Sequence, residues 1–179
     1  MNFIERQFRD PSGGYISAPA PSNARGVFRH TVRAIDQNAA VARFANRLRW
    51  ITGSQRYAQL ARHGMNYVVA ATAATPDQLH AEALLADHEL AGPPVHITII
   101  GGKNDPAAQL LHASALKYPS TYLQVDWWDR TEGPLPNRDV RYPALPRPAA
   151  FACTQTSCST PVFQASEIAG AVHALLQAW

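Results

Sequence analysis

The chain has 179 residues, of which 46% are hydrophobic and 16% charged, and carries a formal net charge of +3. That composition excludes wholesale disorder, and the length fits one domain or two small ones packed together. No apolar run approaches the roughly 20 residues of a bilayer span, residues 1–10 alternate apolar and charged groups rather than forming a secretory leader, and two cysteines exclude a disulfide-rich scaffold.

Residues 3–8 read as the end of a helix, Asp10-Pro11-Ser12-Gly13-Gly14-Tyr15 as a turn and residues 19–23 as loop. In residues 36–51 the apolar positions Val41, Phe44, Leu48 and Ile51 fall at steps of three and four, one stripe of an amphipathic helix, with Arg43, Arg47 and Arg49 off it. Thr52-Gly53-Ser54 stops that helix, Gly53 suiting a left-handed cap and Ser54 the next start. A second helix over 55–73 turns Tyr57, Leu60, Ala61 and Val68 inward. Helices joined so tightly are antiparallel neighbours. Thr75-Pro76-Asp77-Gln78 carries the pattern of a capping box with proline at the first helical position and predicts a third helix to about Leu90. Gly92-Pro93-Pro94 then divides a helical region, 1–91, from a small α/β module, 92–179.

In the second region the period changes. Val95-His96-Ile97-Thr98-Ile99-Ile100 is a buried strand, Asn104 or Asp105 caps a helix that opens on Pro106 and runs to about Lys117, and residues 121–127 form a second strand. That order predicts a right-handed βαβ unit with parallel strands. The prolines of residues 130–148 forbid helix and central strand and leave an extended surface loop. Residues 149–153 are a candidate third strand, and 166–177 a last helix with Ile168, Val172, Leu175 and Leu176 inward. The fold class expected is mixed α+β: an antiparallel helical hairpin packed with a small parallel βαβ-type module.

Four residues separate Cys153 from Cys158, against the two of a thioredoxin-type site. The pair is open to three readings: buried or turn thiols, a small structural or labile disulfide, and, least, half of a metal site. Gly101-Gly102-Lys103-Asn104 joins a strand to a helix start, where free backbone N–H groups can hold an anion, or where two glycines simply allow a tight turn. It lacks the patterns of a dinucleotide fingerprint and of a P-loop. Residues 25–62 hold eight arginines and one acid, Asp36. A patch including Arg43, Arg47, Arg49 and Arg56 suits phosphates or an acidic partner, while the plainer reading is a helix face whose arginine stems cover apolar surface. The seven histidines are scattered, and nothing selects one as a general base. Asp126 and Asp129 flank Trp127-Trp128, an arrangement of sugar sites but more commonly one core tryptophan beside solvated acids. No metal set and no cofactor motif is present.

Several stretches, in order, resemble one family. Pro148-Ala149-Ala150-Phe151-Ala152-Cys153, then Cys158 and Pro161-Val162, is similar to the C-terminal signature of the thioredoxin-domain-containing proteins related to spermatogenesis-associated protein. Phe8-Arg9-Asp10 with Gly13-Gly14-Tyr15, Asn38 with Ala39 and Ala40, Thr52-Gly53 before Arg56-Tyr57, and residues 94–101 resemble further motifs of it. The resemblance implies the last hairpins of an α/α barrel followed by an α/β tail, without the family's N-terminal thioredoxin-like domain. It points to a structural or interaction module that docks on a partner protein or a second copy through an exposed helical face. A thiol–disulfide protein using Cys153 and Cys158 is the alternative, and anion or nucleic-acid binding through the arginines a third. The expected compartment is the cytoplasm, or an oxidising one if the cysteines are joined.

Overall fold

The computed structural model describes residues 1–135, 141–154 and 157–177. It is a mixed α+β protein whose described residues hold six α-helices and one three-stranded sheet. The chain divides into two compact units, Met1–Gly92 and Pro93–Trp179.

The first unit is helical: α1 (Asn2–Phe8), α2 (Ile35–Thr52), α3 (Gln55–Ala73) and α4 (Ala81–Ala91). Gly53, at φ +69°, ends α2 in the left-handed conformation, and its N–H donates to the Arg49 carbonyl. Ser54 occupies the N-cap of α3 without a side-chain capping bond.

The buried face of α2 is not the Val41–Phe44–Leu48–Ile51 stripe. It consists of Asn38, Ala39, Ala42, Ala45 and Asn46, while Phe44 is 46% exposed and Ile51 is also exposed. The reason is close approach. A Cβ on Gly64 of α3 would lie 3.1 Å from the Asn38 carbonyl oxygen and 3.4 Å from Ala42 Cβ, so the two backbones meet across small residues. Large side chains would hold them apart, and they are displaced to the flanks.

The third helix begins later than the capping-box pattern predicts. Thr75 Oγ1 donates back to the Ala71 carbonyl at 3.1 Å, at the end of α3, instead of capping forward. Residues 76–78 form a turn, and His80 takes the N-cap of α4.

The second unit contains β1 (Val95–Ile100), α5 (Pro106–Ala115), β2 (Leu123–Trp128), β3 (Ala149–Cys153) and α6 (Ile168–Gln177). The strand order is β2-β1-β3. β1 and β2 are parallel, and β3 runs antiparallel to β1, so the sheet is mixed rather than purely parallel. Asp105 caps α5 through its carboxylate, with Pro106 as the first helical residue. A 3-10 turn, Ala165–Glu167, precedes α6, whose Ile168 and Val172 are buried while Leu176 is exposed, against the expected inward set. The proline-rich segment contains a second 3-10 turn at Arg130–Glu132, where helix was not expected, and residues 136–140 of it lie outside the described residues. Asp129 caps that turn by accepting from Thr131 N, which supplies locally what a longer helix would need from its neighbours.

Alternation along the strands gives the sheet two unlike faces. One carries Ile97, Ile99, Ala150 and Ala152 and is closed by Leu111 of α5 and Val172 of α6. The other is apolar at one end, where Ile100, Phe151 and Trp128 meet Tyr142 and Leu145 of the returning loop. At its other end lie His96, Gln124, Asp126 and Cys153.

Candidate functional site

β1–β2 pairing sets Thr98 against Asp126 and His96 against Gln124, and β1–β3 pairing sets His96 against Cys153. Residues far apart in sequence thus become one polar cluster. His96 Nε2 lies 2.8 Å from Asp126 Oδ2 and 3.1 Å from Thr98 Oγ1. Gln124 Nε2 donates to the same carboxylate oxygen at 3.0 Å. Tyr142 OH donates to Thr98 Oγ1 at 2.8 Å and stands 3.7 Å from Cys153 Sγ. The Tyr142 ring is held by Phe151, with ring centroids 5.3 Å apart.

Burial acts to raise the Asp126 pKa, but the hydrogen bond and charge of His96, with the Gln124 amide, hold it below the usual carboxylate value. Burial, assisted by the Asp126 charge, raises the Tyr142 phenol pKa above its ordinary value and outweighs the Thr98 hydrogen bond. The cluster therefore pairs an acid that favours its ionised form with a phenol that favours its neutral one.

Cys153 and Cys158 are joined in a disulfide. Of the readings open to the pair, the structure takes the disulfide. Cys153 is buried at the end of β3, and Cys158 is exposed on the short segment that folds back beside it. Thr154 N donates to the Ser157 carbonyl at 2.8 Å, and Ser159 N to the Ala152 carbonyl at 2.8 Å. Gln155 and Thr156, between the cysteines, lie outside the described residues. An apolar groove of about 170 Å³ adjoins the disulfide, lined by His96 and Cys153 of the sheet, by Pro94, and by Leu175 and Leu176 of α6.

The glycine turn does present backbone donors, and a carboxylate of the same chain meets one of them. Lys103 N donates to Asp129 Oδ2 at 2.9 Å, and Lys103 Nζ to Glu132 Oε2 at 2.6 Å. The Lys103 amide and the Thr131 hydrogen bonds hold the Asp129 carboxyl below its ordinary pKa. At the helix start beside it, Asp105 Oδ1 accepts from Ala107 N at 2.8 Å. Gly101 is required by packing: at φ +155° a Cβ there would lie 2.8 Å from Pro148 Cβ. Asn104 is exposed in the same turn.

The arginine patch is turned partly to internal work. Arg43 donates from Nε and Nη2 to the two oxygens of Glu89, at 3.0 and 2.7 Å, and Arg47 Nη2 lies 3.8 Å from the same carboxylate. Glu89 is fully buried, at 0% exposure. The Arg49 guanidinium stacks on the Trp50 ring, 4.7 Å from its centroid, and Arg56 is exposed on α3.

The Gly13-Gly14-Tyr15 turn and Asn38 are brought together in the helical unit. Asn38 Oδ1 accepts from Tyr15 N at 2.6 Å, and Asn38 Nδ2 donates to the Tyr15 carbonyl at 2.9 Å. Gly14 is left-handed, at φ +74°, and its carbonyl oxygen lies 2.9 Å from His63 Nε2. The arrangement docks an N-terminal turn onto the hairpin.

The same helical unit has a groove of about 240 Å³ between α3 and α4, flanked by the exposed Val69, Leu79 and Leu84. Among the described residues no cluster of three His, Cys, Asp or Glu side chains is placed to hold a metal, and no helix is long and apolar enough to cross a membrane.

No family model matches the chain, and no curated protein or solved structure is significantly similar to it.

Sequence reasoning selected the cysteines but not His96, Thr98 or Tyr142. The alternation His96–Thr98 and Gln124–Asp126 in otherwise apolar strands is the signal that marks a polar sheet face. Tyr142 has no such signal, because a long loop places it.

Proposed function

We propose that the chain is a non-catalytic interaction module, the counterpart of the C-terminal region of the thioredoxin-domain-containing family it resembles, and that its helical unit docks on another protein chain. The observation that carries this reading is the α3–α4 groove, where Leu79 is 84% exposed beside the exposed Val69 and Leu84. Apolar side chains gathered on one surface in this way mark interaction sites more than solvated ones. Phe44 and Ile51 of α2 add exposed apolar surface on the same unit. A second copy of the chain is the first partner to test. Light scattering over a range of concentrations should give an assembly larger than one chain, and Leu79→Glu should return it to a monomer. A wild-type chain that stays monomeric at high micromolar concentration and binds no apolar dye would refute the reading.

The disulfide favours a second reading, thiol–disulfide exchange, because one sulfur belongs to an exposed residue and the other to a buried residue beside a tyrosine hydroxyl. Equilibration in glutathione buffers, read by alkylation and mass, should give a midpoint between about −180 and −270 mV, the span of exchange proteins. A midpoint below about −300 mV marks a structural staple and overturns it. The joined cysteines also fit an oxidising compartment better than the cytoplasm.

A further inference from the structure

We propose that the Tyr142 hydroxyl is the acid–base group of the Cys153–Cys158 disulfide, supplied with protons through Thr98 from the His96–Asp126 pair. The proposal rests on the thiol–disulfide reading and names the machinery of that site.

The warrant is an unbroken polar chain that ends on sulfur. From Cys153 Sγ it runs 3.7 Å to Tyr142 OH, 2.8 Å to Thr98 Oγ1, 3.1 Å to His96 Nε2 and 2.8 Å to Asp126 Oδ2. Thr98 is fully buried, and the His96 side chain is 22% exposed, so the chain has a closed middle and a wet end. The asymmetry of the cysteines gives it a purpose. An incoming thiolate reaches the exposed Cys158, so Cys153 is the leaving sulfur. A thiolate released inside the fold has little water to stabilise it and needs a hydrogen-bond donor there. Tyr142 stands at that position.

The step balances with an external dithiol as reductant. Its thiolate attacks Cys158 Sγ, a new S–S bond forms, and the Cys153–Cys158 bond breaks with its electron pair on Cys153. Tyr142 turns the proton it donates to Thr98 Oγ1 onto that sulfur and takes one from the Thr98 hydroxyl, which takes one from His96 Nε2. Solvent restores the ring proton. The second thiol of the reductant then attacks its own sulfur in the mixed disulfide and releases Cys158, which solvent protonates. The dithiol leaves oxidised, having delivered two electrons, and the two protons taken up match the two it loses. Tyr142 touches the reacting sulfur and is catalytic. Thr98 and His96 act through it.

The test is the rate at which dithiothreitol opens the disulfide in the folded chain, read by acid quench, alkylation and mass. Tyr142→Phe and Thr98→Val should each slow opening at least about tenfold, a threshold set below the roughly hundredfold or more that a positioned acid typically contributes. Thr98→Ser, which keeps the hydroxyl, should stay within about twofold of wild type on the same scale. All variants should open at one rate in denaturant, which ties the difference to the fold. Equal rates in folded wild type, Tyr142→Phe and Thr98→Val would overturn the relay and leave the exchange reading standing. A wild-type disulfide that dithiothreitol does not open in the folded chain would overturn both. If Tyr142→Phe does not fold, the Thr98→Val and Thr98→Ser pair decides alone.

Discussion

Replacing Arg43 by methionine separates a structural arginine from a ligand-binding one. Glu89 is fully buried, and its two oxygens take 3.0 and 2.7 Å hydrogen bonds from Arg43. Removing one partner of a buried ion pair leaves a charge without compensation, at a cost of about 3–5 kcal/mol. Two features lower that figure here. The Arg43 side chain is 29% exposed, so water partly replaces it, and Arg47 remains 3.8 Å from the carboxylate. A loss of about 2–3 kcal/mol is expected for Arg43→Met. With a urea slope of about 1.5 kcal/mol per molar, the midpoint falls by about 1.3–2 M. Urea titration followed by circular dichroism at 222 nm reads this directly. The double variant Arg43→Met, Glu89→Leu should recover much of the loss, because the stranded charge is gone. An unchanged or raised midpoint for Arg43→Met, together with lost phosphate affinity, would refute the structural assignment and return the arginines to anion binding.

Gly14→Ala should cost the helical unit about 2–4 kcal/mol, since the residue sits at φ +74° and its new Cβ meets Asn38 Oδ1 and Tyr67 Cβ, both at 2.6 Å; a melt within error of wild type would show that the turn does not dock as described. Replacing both cysteines by alanine closes no loop in the unfolded chain and should cost the α/β unit about 2 kcal/mol, the loop entropy of a ring this short, measured by urea unfolding with and without reductant on the wild type. The Asp126 pKa is lowered in the folded chain, so its ionised form stabilises the fold above the ordinary carboxylate range, and that contribution is lost as pH falls through the folded value. His96→Leu should flatten this acid limb of the stability curve, and an unchanged limb would place the dependence elsewhere.

What could be read from the sequence was local. Asp105-Pro106 announced the start of α5, and Gly53 the end of α2, because caps are decided by a few neighbouring atoms. The β1 and β3 segments declared themselves by composition. The face of α2 did not. Counting large apolar residues favoured Phe44 and Ile51, but close helix contact favoured Ala39, Ala42 and Ala45, and contact decided. Thr75 carried a capping sequence, yet its hydroxyl found the Ala71 carbonyl first. The pairing of His96 with Asp126 depends on strand register across 30 residues, and no local pattern encodes register in a parallel pair. The burial of Glu89 likewise depends on Arg43, 46 positions away in the sequence.

The two units manage their polar groups in opposite ways, and this is what makes the readings separable. In the helical unit the buried Asn38, Asn46 and Glu89 are tied to backbone or arginine partners, while Phe44, Val69, Leu79 and Leu84 stay outside. These buried polar groups are partnered and the exposed surface gathers apolar side chains, which suits docking. In the α/β unit the apolar contacts are completed on one sheet face by α5 and α6, and the opposite face carries hydroxyls, an imidazole, a carboxylate and a disulfide in one line. A partly buried polar line of this kind costs stability unless its buried members are bonded. Its members could have bonded to one another without reaching sulfur. That Tyr142 places its oxygen between Thr98 and Cys153 is therefore the feature that structure alone does not demand. Variants at Leu79 test the first unit and variants at Tyr142 the second, and because they lie in different units each should leave the other readout unchanged.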